Sequence, residues 1–230
     1  MAFARNATMN ANANPTAPAL PASRPAASRG PRVRRTQAER TEAMRARLSV
    51  EAYRIVAEGG VRALTIRSLA TAARVSQGAV LHHFPDKASI VLLAVEQTLT
   101  MAREDSMEWL ATRGDAHEVL QAMLAEFRAF FFSDRFWVAM GITIEASKDG
   151  DLFPLVRAKV ADLRTPVYHA WELRLVELGW SRDDARRDVR AAAQLVSGAA
   201  IRRFWADSDD VSQAVETQWL AARLAEHATR

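Results

Sequence analysis

His169 and Glu172 stand three residues apart, a spacing that sets an imidazole and a carboxylate on one face of a helix, where they could share a metal ion. A lone His-x-x-Glu is a weak metal pattern, and neither a metal nor a cofactor is expected. His82 and His83 are adjacent, so on a helix their side chains diverge and make a poor metal pair. Covalent chemistry finds less still. The chain has no cysteine, no His-Glu-x-x-His, no glycine-rich phosphate loop and no nucleophile elbow. What remains is recognition. The segment Thr65 to Lys87, TIRSLATAARVSQGAVLHHFPDK, encodes two short helices joined by a tight break, and the second would project one face outward. An exposed helix about 10–12 Å across fits a DNA major groove about 12 Å wide, with Gln77 and Gly78 nearest the base edges.

Helices this short cannot bury enough surface alone, so a third must stand behind them. Leu48, Ala52, Ile55 and Val56 supply its apolar stripe, and Gly59-Gly60 supplies its left-handed cap. Thr65 and Ser76 are N-caps for the two short helices. Pro85 stops the second, and Asp86 caps a long fourth helix carrying Ile90, Leu93, Ala94 and Leu99. Beyond it, apolar spacing predicts five more. Phe127 and Phe131 mark one, and Phe136, Trp137, Met140 and Ile144 the next. Val156 to Leu178, through Trp171, marks a third, with Pro166 expected to kink it. Ser181 with Asp184 resembles a capping box opening another, and the last begins near Ser208-Asp209. No alternating strand and no internal repeat is found, so the fold class is all-α with about nine helices.

Charge follows the same division. Residues 1–36 carry six arginines and no acid, and residues 37–90 carry eight Lys/Arg against five Asp/Glu. The remainder carries 17 against 22, so basic charge gathers in the N-terminal third, where a polyanion would be met. Rich in Ala, Pro, Asn and Ser, residues 1–36 read as a disordered basic arm whose Arg29, Arg32, Arg34 and Arg35 could follow phosphates. No stretch approaches 18 uncharged apolar residues, so no membrane span is expected, and the absence of cysteine fits a cytoplasmic location.

The Gly-Gly break, Thr-x-x-x-Leu-Ala, and Val-Ser-x-Gly-x-Val-Leu-His-His-Phe-Pro-Asp-Lys resemble the DNA-binding domain of the TetR family of bacterial transcriptional regulators over residues 41–95. By that resemblance Arg67 and Gln77 correspond to positions that contact bases, and Thr65, His83 and Lys87 to positions that hold phosphates. Gly78 permits close backbone approach. Leu81 departs from the pattern, since many relatives carry a phosphate-binding tyrosine there, and Ala79 stands where threonine or serine is common. The resemblance further implies a C-terminal domain that binds a small effector and pairs two subunits. It divides the chain into the arm at 1–36, the helix-turn-helix domain at 37–90 and an effector-binding and dimerisation domain at 91–230.

In that last part the small-residue runs Ala191-Ala192-Ala193 and Ser197 to Ala200 sit beside bulky neighbours. Candidate dimer residues are Leu195, Val196, Ala199, Phe204, Val215 and Trp219. Candidate effector-pocket residues are the aromatic and apolar stripe Phe127, Phe131, Phe136, Trp137, Met140, Ile144 and Trp171. Glu145 could attract a cationic ligand or pair with an arginine.

The expected protein is therefore a ligand-responsive transcriptional repressor. It would bind a near-palindromic double-stranded operator as a homodimer, be released by a small effector, and have no catalytic role. Two alternatives are a helical enzyme with an appended DNA-binding head and a non-specific architectural DNA-binding protein.

Overall fold

The computed structural model describes residues 36–111, 113–205 and 208–229, so the basic arm, apart from Thr36, lies outside the described residues. Residues 37–230 form one compact unit. Among the described residues its regular structure is nine α-helices and one 3₁₀ turn. The all-α expectation holds.

The helices are α1 (Gln37–Gly59), α2 (Ile66–Ala72), α3 (Gln77–His83), α4 (Lys87–Leu110) and α5 (Ala116–Phe131), followed by α6 (Asp134–Ala146), α7 (Leu152–Glu177), α8 (Arg182–Arg202) and α9 (Asp210–Ala228). Their ends are set by side chains that satisfy otherwise orphaned backbone N–H groups. Thr65 Oγ1 accepts from Ser68 N at 3.0 Å, while Ser68 Oγ accepts from Thr65 N at 2.9 Å. Asp86 with Ser89 and Asp115 with Glu118 repeat this reciprocal box at α4 and α5. Ser181 differs from the expected box. Its hydroxyl accepts from Asp184 N (3.1 Å) but donates to the Asp184 carboxylate (2.7 Å). Each such cap stabilises its helix by about 1 kcal/mol.

At the other ends, Gly60 takes φ 72° and Gly179 takes φ 99°. The Trp180 N–H then bonds back to Leu175 O at 3.1 Å, closing the last turn of α7. That helix runs unbroken through Pro166.

α4 is the spine. Ile90, Val91, Leu93, Ala94, Val95 and Leu99 are buried around most of the circumference of its first half, as an internal helix requires. It packs against α1, α5, α6 and α7. The boundary expected between residues 90 and 91 falls inside this helix, which serves both sides of it. α8 packs on α5 and α7, and α9 closes over α5 and α8.

Candidate nucleic-acid interface and effector cavity

The helix-turn-helix module is assembled by burial. Leu48, Ala52 and Val56 of α1, Leu69 and Ala70 of α2, Val80 of α3 and Phe84 join one core with the first turns of α4. Between α2 and α3 the chain turns at Arg74, whose φ of 52° is left-handed. Val75 N then bonds to Ala70 O at 2.9 Å, and Ser76 caps α3 through Ala79 N at 3.1 Å.

With Val80 inward, α3 turns Gln77, Gly78, Leu81 and His82 outward, all exposed, while His83 is half-buried. Gly78 has open space around it. Among the described residues a Cβ there would meet only Ser76 Oγ, at 3.9 Å. Arg67, Arg74 and Lys87 are exposed and have no ion-pair partner among the described residues. The hydroxyl of Thr65, itself exposed, is occupied with the α2 cap. Thus five of the six candidate DNA residues (Thr65, Arg67, Gln77, Gly78 and Lys87) lie exposed in this module, and His83 lies at its edge.

A cavity of about 460 Å³ opens between α5, α6, α7 and α8. Phe131, Phe136 and Met140 of the candidate stripe line it. The others do not. Phe127 and Trp171 are wholly buried in the core. Ile144 is 56% exposed. Trp137 faces a second cavity, of about 520 Å³, along the seam between α1 and α6. Beside the main cavity lies a buried polar group that the aromatic stripe does not reveal. Glu126 of α5 accepts from Ser106 Oγ (2.5 Å) and Trp171 Nε1 (3.3 Å), and faces Arg164 of α7 at 3.8 Å. The Arg164 guanidinium lies over the Phe130 ring, 4.0 Å from its centroid. Both charged residues occupy an apolar stripe: Glu126 between Met123 and Phe130, Arg164 between Val160 and Val167. That misplacement of charge is the signal by which the sequence could have disclosed them.

His169 lies 3.4 Å from Glu172, and Glu172 also meets Arg190 at 3.5 Å. Glu145 is held by Lys148 first and Arg62 second, which together keep its carboxyl below the usual glutamate range. It therefore pairs with cations of its own chain.

Of the candidate dimer residues, Val196 is wholly buried in this chain and Ala199 nearly so, which leaves them little surface for a second copy. Leu195 and Trp219 are half-buried, and Phe204 and Val215 are exposed. Trp205, at 73% exposure, and Val211 are exposed as well.

The family described as "Bacterial regulatory proteins, tetR family" matches residues 50–94, the stretch that holds α2, α3 and the start of α4. The chain is 33% identical over 172 residues to the HTH-type transcriptional regulator CymR of Pseudomonas putida, covering 75% of this chain and 85% of that protein. The chain belongs to the TetR family. This regulator is also 32% identical over 144 residues to the HTH-type transcriptional repressor AcnR of Corynebacterium glutamicum, covering 60% of this chain and 69% of the relative. Its fold is shared with a TetR-family transcriptional regulator from Streptomyces coelicolor, at a TM-score of 0.60 and 17% identity over 81% of this chain and 96% of that one. It is shared too with the regulator FadR from Bacillus subtilis in complex with stearoyl-CoA, at 0.54 and 17% identity over 76% and 97%. These relatives are transcriptional regulators, and the helix-turn-helix of this one is a DNA-binding module.

Proposed function

We propose that this regulator is a repressor that holds a near-palindromic operator as a homodimer and lets go when a small effector enters the cavity between α5, α6, α7 and α8. The observation that carries the reading is the open face of α3. Gln77 and Gly78 project from it exposed, flanked by Arg67 and Lys87, cations with no ion-pair partner among the described residues. In this reading Arg67 and Gln77 contact base edges. Thr65, His83 and Lys87 contact phosphates, with Lys87 adding to the positive end of α4. Gly78 lets the helix backbone approach the groove.

Leu195, Phe204, Val215 and Trp219, with Trp205, are the surface for a second copy. Phe204 and Trp205 are 62% and 73% exposed, too much aromatic area to leave facing water without a partner. A two-fold pair would set two α3 helices about one DNA turn, roughly 34–36 Å, apart. The relative AcnR is named a repressor, which supports that direction of control.

The test is selection of DNA from a random duplex pool by the purified protein. A palindrome whose half-sites repeat about one turn apart is expected, and Arg67→Ala and Gln77→Ala should lose it. Binding governed only by total charge and salt, with no motif, would overturn the reading in favour of an architectural protein.

A further inference from the structure

The proposed effector cavity carries a charge pattern that names the class of molecule it takes. Its wall contains three arginines, Arg157, Arg164 and Arg190, and no acid. Arg190 has a carboxylate nearby, Glu172 at 3.5 Å, and its guanidinium lies 4.4 Å from the Tyr168 ring centroid. Arg157 lies over the Phe153 ring at 5.7 Å and pairs with no acid among the described residues. Arg164 is the unusual one. It is 5% exposed, and none of its three buried guanidinium nitrogens has a hydrogen-bond partner. Glu126 does not supply one: its oxygens accept from Ser106 and Trp171, and its approach to Arg164, at 3.8 Å, is too long for a hydrogen bond.

A buried guanidinium with unmatched N–H groups is costly; the Phe130 ring offsets part of that cost, and the N–H groups themselves are satisfied only by an acceptor. Two of the three arginines face one carboxylate each and the third faces none, so the group has an excess of one positive charge. The rest of the wall is mostly apolar and aromatic, with Phe130, Phe131, Phe136, Met140 and Val160 among its members, and its uncharged polar groups are the hydroxyls of Thr143, Thr165 and Tyr168.

Resting on the effector reading above, we infer that the ligand is an amphipathic monoanion: a compact apolar or aromatic body against the phenylalanines, with a single carboxylate or similar anionic head among the three arginines. A guanidinium presents paired N–H donors that match such a head in two parallel bonds. A cation would meet like charge at every charged group of this wall, and a neutral apolar molecule would leave Arg164 as it is.

The test uses full-length protein and two fluorescent probes with similar rings. One, 8-anilinonaphthalene-1-sulfonate, carries an anion, and the other, N-phenyl-1-naphthylamine, does not. The anionic probe should bind at least about tenfold more tightly, and Arg157→Gln and Arg164→Gln should each remove about tenfold of that affinity, the size of a charge-assisted bond. Both variants should leave the neutral probe unchanged. If Arg164→Gln unfolds, seen as a lost melting transition, the exposed Arg157→Gln alone decides. Equal affinity for both probes, or anion binding indifferent to a folded arginine variant, overturns the inference. Titration of the same preparations with the selected operator separates the two readings. Specific DNA binding without anion preference sinks only the ligand class. Absence of specific DNA binding sinks the regulator reading beneath it.

Discussion

Arg62, in the 3₁₀ turn ahead of the reading helices, hydrogen-bonds Glu145 near the end of α6 at 3.2 Å. Lys148 holds the other oxygen of the same carboxylate at 2.6 Å. α6 thereby touches two things at once. Phe136, Ala139, Met140 and Thr143 line the arginine-bearing cavity, while Val138, Gly141 and Glu145 line the seam against α1 and the 3₁₀ turn. A ligand that favours one position of α6 over another would therefore bias the reading module through direct contact, which is what coupling between two sites requires.

Loosening that contact should free the front of the module without unfolding it. Glu145→Gln is expected to speed amide hydrogen exchange across residues 61–66 and leave the core of α4 protected. Acid should act in the same direction. The Glu145 carboxyl is held low by Lys148 and Arg62, so the link is complete above the ordinary glutamate range and is lost as pH falls through the lowered folded value. Exchange at 61–66 that is unchanged in Glu145→Gln would show that the contact restrains nothing.

The buried pair of α5 and α7 should behave unlike a surface bridge. Arg164→Met alone leaves Glu126 charged and buried, and is expected to cost about 3–5 kcal/mol in urea unfolding. Joining it to Glu126→Gln should recover most of that loss, because no unpaired charge remains. Single and double variants of equal stability would mean that the two side chains do not sense each other.

Arg74 sits in a left-handed turn at φ 52° without the freedom of glycine. An L-residue pays about 1–2 kcal/mol there, partly offset in a glycine variant by the greater entropy of the unfolded chain. Arg74→Gly should therefore raise stability by up to about 1 kcal/mol, and Arg74→Val, branched at Cβ, should lower it. The order Gly, Arg, Val in melting temperature is the check, and any other order contradicts the strain.

Gly78 separates folding from function. Among the described residues a methyl group there meets only Ser76 Oγ, at 3.9 Å, in the free protein. Gly78→Ala should leave the melting temperature level or slightly higher, since alanine favours helix by up to about 1 kcal/mol. Affinity for the selected operator should fall at least about tenfold, equivalent to 1.4 kcal/mol. Undiminished operator affinity would mean that the groove does not approach this backbone.

The helix boundaries were almost wholly legible in the sequence, because they are local. Thr65, Ser76 and Asp86 announce caps, Pro85 announces a stop, and Gly60 and Gly179 announce left-handed turns, each a property of one residue and its backbone. The lining of the cavity was legible only in part. A period of three or four residues says that Phe127, Phe131 and Trp171 share buried faces, but not which of them meets empty space and which meets another side chain. That depends on how α5, α6 and α7 are set against each other. Ile144 points to solvent for the same reason: its helix is covered on part of its circumference, and periodicity alone does not fix where the cover ends. Val196 shows the converse. Small neighbours made its face resemble a surface for a second copy, yet α5 and α7 already cover α8 on that side.

The most direct test of the account is a titration of the selected operator, and of a duplex with one half-site base changed, by wild type, Gln77→Ala and Lys87→Ala over a range of salt. If the open face of α3 reads bases, Gln77→Ala loses about 1–3 kcal/mol of discrimination with its salt slope unchanged. Lys87→Ala, a phosphate contact, should weaken both duplexes alike and reduce the slope by about one. A Gln77→Ala protein that still tells the two duplexes apart as wild type does would contradict the assignment of α3 as the reading helix.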